Sequence, residues 1–96
     1  MIGVYALLTI KDGSQADFEK VASELVAAVN ANEPGCELYR LFKLKDSATQ
    51  YAFLERYKNQ EAVEAHRASE HFKRLGRAMG PHLDGAPVVT RMDQIA

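Results

Sequence analysis

Apolar residues recur along this chain with two periods, and these periods divide it into strands and helices. Residues 2–10 are apolar at nearly every position and rich in strand-forming side chains, which predicts a first strand. An amphipathic helix is predicted over residues 14–31, because apolar residues recur there at spacings of three and four: Phe18, Val21, Ala22, Leu25 and Val29. Ser14, followed by Asp17 three residues later, predicts a capping box at the start of this helix.

The middle of the chain has the pattern of a hairpin. Pro34 ends the first helix, because proline disfavours helical geometry at the residue before it. Residues 36–44 and 50–57 alternate apolar and polar side chains, and the polar loop 45–49 joins them. Two strands that are joined this closely are expected to pair in antiparallel fashion.

Two further helical runs and one strand complete the chain. Asn59 is predicted to cap a short helix. Ser69 is predicted to start a second helical run on the apolar stripe Phe72, Leu75 and Met79. Gly80 and Pro81 interrupt this run, and residues 87–95 form the last predicted strand.

The predicted order, β-α-β-β-α-β, is that of a split βαβ, or ferredoxin-like, α+β fold. In this fold, helices cover one face of a four-stranded antiparallel sheet. The 96 residues are expected to form a single domain, 1–96. The second sheet face is left open, and the first strand is apolar on both of its faces. We therefore expect a homodimer in which two sheets pack face to face.

Composition narrows the class of partner. The chain has 12 basic and 13 acidic residues and a net charge of −1, so it lacks the basic excess of a nucleic-acid or membrane-surface binder. No apolar run approaches the roughly 20 residues of a membrane span, and residues 1–9 lack the positive segment of a signal peptide. The single cysteine, Cys36, favours a reducing compartment, so we expect a cytoplasmic protein.

Four segments, in order and spacing, resemble the antibiotic biosynthesis monooxygenase family, and in particular its quinol monooxygenases. They are 33–39 (EPGCELY), 53–57 (FLERY), 61–66 (EAVEAH) and 69–73 (SEHFK). The resemblance implies a dimeric α+β barrel with a substrate cavity between sheet and helices in each subunit. It also implies oxygenation of an electron-rich phenol or hydroquinone by O₂ without flavin, haem or metal. The expected partners are therefore a small aromatic substrate and O₂, and no cofactor is expected.

Other activities within this family leave alternatives open. The haem-degrading branch would call for asparagine in place of Ala6 and tryptophan in place of His66, and the chain has no tryptophan, so haem degradation is not expected. Another branch isomerises a small phosphorylated carbonyl compound, the autoinducer-2 signal. That role would require the basic cluster Lys73, Arg74 and Arg77 to face the cavity. A third alternative is a non-catalytic dimeric binding domain with a filled interior.

His66 is the strongest candidate for a catalytic residue. It follows Ala62 by four residues and Val63 by three, so it shares their inward helix face. An imidazole there, which titrates near neutral pH, is suited to deprotonating a phenolic hydroxyl. Glu55, on an apolar strand face, is predicted to orient His66. The competing structural interpretations are a hydrogen-bonded core histidine and an ion-paired surface glutamate.

The remaining candidates are substrate-binding residues. His71 lies in the first helical turn after Ser69, where the helix N-terminus favours a neutral imidazole. It is five residues from His66 and in a separate helical segment, whereas helical zinc pairs typically have a spacing of four, so no metal site is expected. Aromatic rings suited to stacking on a planar substrate complete the set, which is Tyr39, Tyr51, Phe53, His71 and Phe72. Ordinary packing explains the aromatic residues equally well.

Overall fold

The computed structural model describes residues 1–96 and confirms the predicted order of elements. In chain order the elements are β1 (Ile2–Thr9), α1 (Gln15–Asn32), β2 (Cys36–Lys43), β3 (Gln50–Tyr57), α2 (Gln60–Ala68), α3 (Glu70–Met79) and β4 (Val88–Asp93), with a 3₁₀ turn at Gly80–His82. The second helical region is therefore two helices that meet at Ser69. None of the helices has the length and apolar character that a membrane span requires.

All four strands pair in antiparallel fashion and form one sheet in the order β2-β3-β1-β4. This is the ferredoxin-like α+β arrangement that the sequence predicts. Because β1 and β3 occupy the centre of the sheet, their inward side chains form the floor on which the helices pack.

The core lies between the inner face of the sheet and α1. The inward residues of β1 are buried, and they alternate with half-buried residues that point to the other face. The predicted apolar stripe of α1 is confirmed at four of its five positions, where Phe18, Ala22, Leu25 and Val29 have no exposed surface. Burying an apolar side chain of this size contributes about 1.5–3 kcal/mol to stability, so this stripe fixes α1 on the sheet.

The junction between α2 and α3 is fixed by hydrogen bonds of Ser69. Its hydroxyl donates to the His66 carbonyl at 2.7 Å and accepts from the Phe72 backbone N–H at 3.2 Å. The same residue therefore ends α2 and caps α3. The predicted cap at Asn59 is also confirmed, because its side chain accepts from the Ala62 backbone N–H at 2.9 Å.

The predicted capping box at the start of α1 is wrong. The Ser14 side chain makes no capping hydrogen bond. Instead, the Gln15 side chain accepts from the Gly13 backbone N–H at 2.7 Å and donates to Asp12 at 3.1 Å. The side chain of Gln15, the first residue of α1, therefore turns back onto the preceding loop and stabilises the turn.

The outer face of the sheet is apolar and open. Leu7 of β1 lies in register with Ala52 and Val88, and Ala52 lies in register with Phe42, so one row of apolar side chains crosses the whole sheet. Phe42 and Val88 are 52% and 62% exposed, respectively. The homodimer stays a prediction, and it would require an exposed apolar sheet face of this kind.

Candidate functional site

A cavity of about 580 Å³ lies between the inner face of the sheet and the helices. Twelve of its 18 lining residues are hydrophobic, so the cavity is mainly apolar. Its volume and character are those of sites that bind small molecules. Besides two tyrosines, Tyr39 and Tyr57, the titratable or charged side chains in its wall are Glu55, His66, Arg67 and Arg91.

His66 lies in the last turn of α2 and is 5% exposed. Its Nδ1 lies 2.9 Å and 3.1 Å from the two carboxylate oxygens of Glu33. Its ring packs against Phe72 and Tyr39, with centroid separations of 4.5 Å and 5.2 Å. No protein group bonds Nε2, and no fully buried side-chain nitrogen lacks a partner, so Nε2 keeps accessible surface; because His66 lines the cavity, we infer that this surface faces it.

Glu33 joins the two predicted histidines. It is the first residue after α1, and its carboxylate contacts both Nδ1 of His66 and Nε2 of His71. The side chains of His66, Glu33 and His71 are 6%, 9% and 16% exposed. A carboxylate accepts hydrogen bonds, so the contact assigns the ring proton of neutral His66 to Nδ1 and leaves the lone pair on Nε2.

Burial determines the charge of His66. Removal from water lowers the pKa of His66 below its ordinary value, and the hydrogen bond and charge of Glu33 oppose this change. The imidazole is therefore neutral near pH 7, with Nε2 able to accept a proton from a group in the cavity.

The prediction that Glu55 orients His66 is corrected by the structure, because Glu33 occupies that position. The Glu55 carboxylate instead accepts a hydrogen bond from the Tyr57 hydroxyl at 2.6 Å. Burial raises the pKa of Glu55 to about 7, although the Tyr57 hydrogen bond acts in the opposite direction. Burial, followed by the Glu55 charge, raises the pKa of Tyr57, so the shared proton stays on the phenol.

The predicted substrate-binding residues divide into two groups. Tyr39, Phe53 and Phe72 line the cavity together with His66 and Glu55. The other two are not in its wall. Tyr51 donates to Glu19 beside a separate groove of about 410 Å³, and His71 contacts Glu33, which is itself outside the cavity wall.

The sequence argument against a metal pair, which was the spacing of five between His66 and His71, does not hold in the folded chain. The two histidines lie on two helices, as predicted, and the change of direction at Ser69 brings both rings to the Glu33 carboxylate. One ligand atom from each of Glu33, His66 and His71 lies within 4.8 Å of the others. These three residues are therefore the group in the chain that could hold a metal ion.

Sequence reasoning missed Glu33 as a site residue. It is the last residue before Pro34-Gly35, so it has the appearance of a helix end. The contact with His66 spans 33 residues, which no local period reveals. The one indication was the position of Glu33 at the start of the first segment of the family resemblance.

Comparison with known proteins agrees with the fold and the resemblance. The model of the antibiotic biosynthesis monooxygenase family matches residues 1–78. The crystal structure of a Caulobacter crescentus CB15 protein whose description names this family has a TM-score of 0.96 and 42% identity, over 99% of this chain and 90% of that one.

Two further crystal structures extend the comparison. A second protein described as an antibiotic biosynthesis monooxygenase has a TM-score of 0.92 and 29% identity over the full length of both chains. A Methanosarcina mazei Go1 protein, 21% identical, shares the fold with a TM-score of 0.92 over 98% of this chain and 92% of its own. No functionally curated protein matches the chain. On the family match, the chain belongs to the antibiotic biosynthesis monooxygenase family.

Proposed function

We propose that this protein is a cofactor-independent monooxygenase that oxidises an electron-rich phenol or hydroquinone-type small molecule with O₂. The observation that carries the proposal is the placement of His66. Its Nδ1 is held by the Glu33 carboxylate at 2.9 Å, while its Nε2 is open to a mainly apolar cavity. Membership of the monooxygenase family supports the reaction class.

The wall of the cavity suits a flat aromatic substrate. The rings of Tyr39 and Phe53 lie 5.3 Å apart, and Phe72 packs on the His66 imidazole. Aromatic rings favour offset or edge-to-face contacts with another ring. A substrate that stacks on these residues can place a hydroxyl group at Nε2 of His66.

The proposed chemistry begins with a proton transfer. Nε2 of His66 accepts the hydroxyl proton, and the resulting phenolate donates electrons to O₂. One oxygen atom enters the product and the other leaves as water, so the substrate supplies the electrons. The protein contributes a base, an orientation and a cavity that keeps water away from the reactive anion.

Glu55 retains a proposed catalytic role, but a different one. It lines the same cavity as His66, and its pKa of about 7 allows proton exchange near neutral pH. A hydroquinone carries two hydroxyl groups, and Glu55 is the group that we propose accepts or returns the second proton. Tyr57 holds the Glu55 carboxylate in place for this step.

The structure counts against both alternative functions. The cations that an isomerase would direct at a phosphate, Lys73, Arg74 and Arg77, are exposed, and none lines the cavity. The non-catalytic alternative was expected to have a filled interior, whereas His66 lines a cavity of about 580 Å³.

Oxygen uptake by purified protein without added cofactor tests the proposal. The substrates are reduced quinones and anthrone-like phenols, with autoxidation subtracted. We expect protein-dependent uptake that falls about 10²–10⁴-fold in His66→Ala, since this is the usual contribution of a positioned base. The matched control is His82→Ala, because His82 lies in the 3₁₀ turn outside the cavity wall. Undiminished uptake in folded His66→Ala would contradict the assignment.

We also propose that the outer sheet face forms a homodimer. Its exposed apolar row is the kind of surface that a subunit buries. Phe42→Glu places a charge in this row and is expected to convert the dimer to monomer, as measured by sedimentation velocity. A wild-type protein that sediments as a monomer at micromolar concentration would contradict this proposal.

We also propose a cytoplasmic location, and the lone Cys36 supports it.

A further inference from the structure

The Glu33 carboxylate is largely shielded from water, and no lysine or arginine pairs with it. Its side chain is 9% exposed, and its ion-pair partners within 4.0 Å are two histidines, with no lysine or arginine among them. A buried carboxylate is costly unless it is paired or coordinates a metal ion. The neutral histidines donate hydrogen bonds to this carboxylate but bring no charge, so a cation bound among the three side chains would add the charge neutralisation that the hydrogen bonds lack.

Three structural elements bring the donor atoms to one point. Glu33 follows the last turn of α1, His66 lies in the last turn of α2, and His71 lies in the first turn of α3. The hydrogen bonds of Ser69 fix the angle between the two histidine-bearing helices. Because the backbone around each ligand is held by a helix end, binding would require movement of side chains rather than refolding.

The spacing of the donor atoms is close to that of a coordination sphere. All three lie within 4.8 Å of one another. An ion at about 2.0–2.1 Å from each of three tetrahedral ligands would hold those ligands roughly 3.3 Å apart. Side-chain shifts of about an ångström therefore convert the hydrogen-bonded cluster into a set of three ligands.

We propose that Glu33, His66 and His71 form a binding site for a divalent transition-metal ion of the zinc type. Two imidazole nitrogens and one carboxylate oxygen are a donor set that suits zinc and neighbouring first-row ions. Calcium and magnesium prefer sites built from oxygen atoms alone, so the nitrogen donors select against them.

Binding would change what His66 presents to the cavity. The ion takes the lone pair of Nδ1, so the ring proton moves to Nε2, and Nε2 becomes a hydrogen-bond donor. A donor at that position cannot accept a proton from a substrate hydroxyl. This consequence rests on the proposed function, and it makes the ion an inhibitor of the monooxygenase reaction. The binding site itself does not depend on that function.

Calorimetric titration of Zn²⁺ into tag-free protein, stripped with a chelator and desalted, tests the site directly. We expect one ion per chain with micromolar or tighter affinity. His71→Gln retains an N–H donor for Glu33 but removes the imidazole ligand, and Glu33→Gln removes the anionic ligand. Each variant is expected to bind Zn²⁺ at least about tenfold more weakly, with folding checked by circular dichroism.

Two control variants exclude other zinc ligands. His82→Ala removes the remaining histidine, and Cys36→Ser removes the only thiol. Both are expected to bind Zn²⁺ within about twofold of wild type, since neither belongs to the cluster. The inference is overturned if wild type binds no stoichiometric Zn²⁺. It is also overturned if the cluster variants bind as tightly as wild type, or if only a control variant loses binding.

Oxygen uptake by the same stripped protein is a separate readout. Uptake without zinc binding would overturn the metal site and leave the proposed function standing. Zinc binding without oxygen uptake would leave the metal site standing and count against the proposed function. If the protein both binds Zn²⁺ and takes up oxygen, addition of Zn²⁺ is expected to inhibit uptake by wild type. The same addition is expected to inhibit uptake by His71→Gln less.

Discussion

Two carboxylates near the cavity, Glu33 and Glu55, differ in their partners and therefore in what they can do. Glu33 contacts two imidazole nitrogens behind the cavity wall, whereas Glu55 lines the cavity and has one partner, the Tyr57 hydroxyl. Donors on both sides satisfy the Glu33 anion, so it can fix the geometry of a neighbour. Burial raises the pKa of Glu55 to about 7, because its single hydrogen bond, from Tyr57, only partly opposes the effect of burial. A carboxyl group with this pKa suits proton exchange.

The largest expected effect comes from exchanging the two carboxylates for amides. The amide N–H₂ of Glu33→Gln can donate to Nδ1 of His66, which places the ring proton on Nε2 and removes the base. Loss of the correct tautomer is expected to lower oxygen uptake by about 10²–10⁴-fold. Glu55→Gln is expected to lower uptake less, because His66 remains intact. A larger loss in Glu55→Gln than in Glu33→Gln would reverse the proposed roles.

The second prediction concerns stability and pH. The raised pKa means that the folded state favours protonated Glu55, so this contribution to stability is fully present below about pH 4.5 and is lost as pH rises through about 7. Glu55→Gln is uncharged at every pH. It is therefore expected to be more stable than wild type at pH 8 by about 1–3 kcal/mol, with little gain at pH 4.5.

Urea unfolding at the two pH values measures this difference. Glu37→Gln is the matched control, because Glu37 is an exposed glutamate on β2, which pairs with the strand of Glu55. Glu37→Gln is expected to gain less stability at pH 8 than Glu55→Gln, because Glu37 is exposed to water. An equal gain for Glu55→Gln at both pH values would show that burial does not alter the protonation of Glu55.

The smallest predicted pH-dependent difference, about 1–1.5 kcal/mol, comes from removing the Tyr57 hydroxyl. Hydrogen bonds to charged groups contribute about 1.5–3 kcal/mol and neutral ones about 0.5–1.5 kcal/mol. Tyr57→Phe should therefore destabilise the protein more at pH 8, where Glu55 is largely ionised, than at pH 5. It should also raise the pKa of Glu55 further, because the lost hydrogen bond lowers that pKa. Equal destabilisation at both pH values in urea unfolding would contradict this account.

The sequence predicted the fold more completely than the site, for a physical reason. Helices and strands follow from local periods, so the α1 stripe and the β3 boundaries were correct. His66 was found in the same way, through its place on an apolar helix face. Glu33 carries no local sign of its role, because the cluster forms only when the ends of α1, α2 and α3 meet.

The errors share this origin. Glu55 was paired with His66 because both face the interior, but the sequence cannot show which carboxylate is nearer. His71 was treated independently of His66 because a spacing of five does not align residues on one helix. The break at Ser69 was predicted, but the angle at which the two helices meet, which brings both imidazoles to Glu33, is not visible in the sequence.

The central claim is that Glu33 holds the proton of His66 on Nδ1 and leaves Nε2 free as a base. Nitrogen-15 NMR of the imidazole rings in metal-stripped protein at neutral pH tests it most directly, with His66 assigned by comparison with His66→Ala. The account predicts a neutral ring protonated on Nδ1 in wild type, and a loss of that preference in Glu33→Gln. A wild-type His66 that is protonated on Nε2 would contradict it.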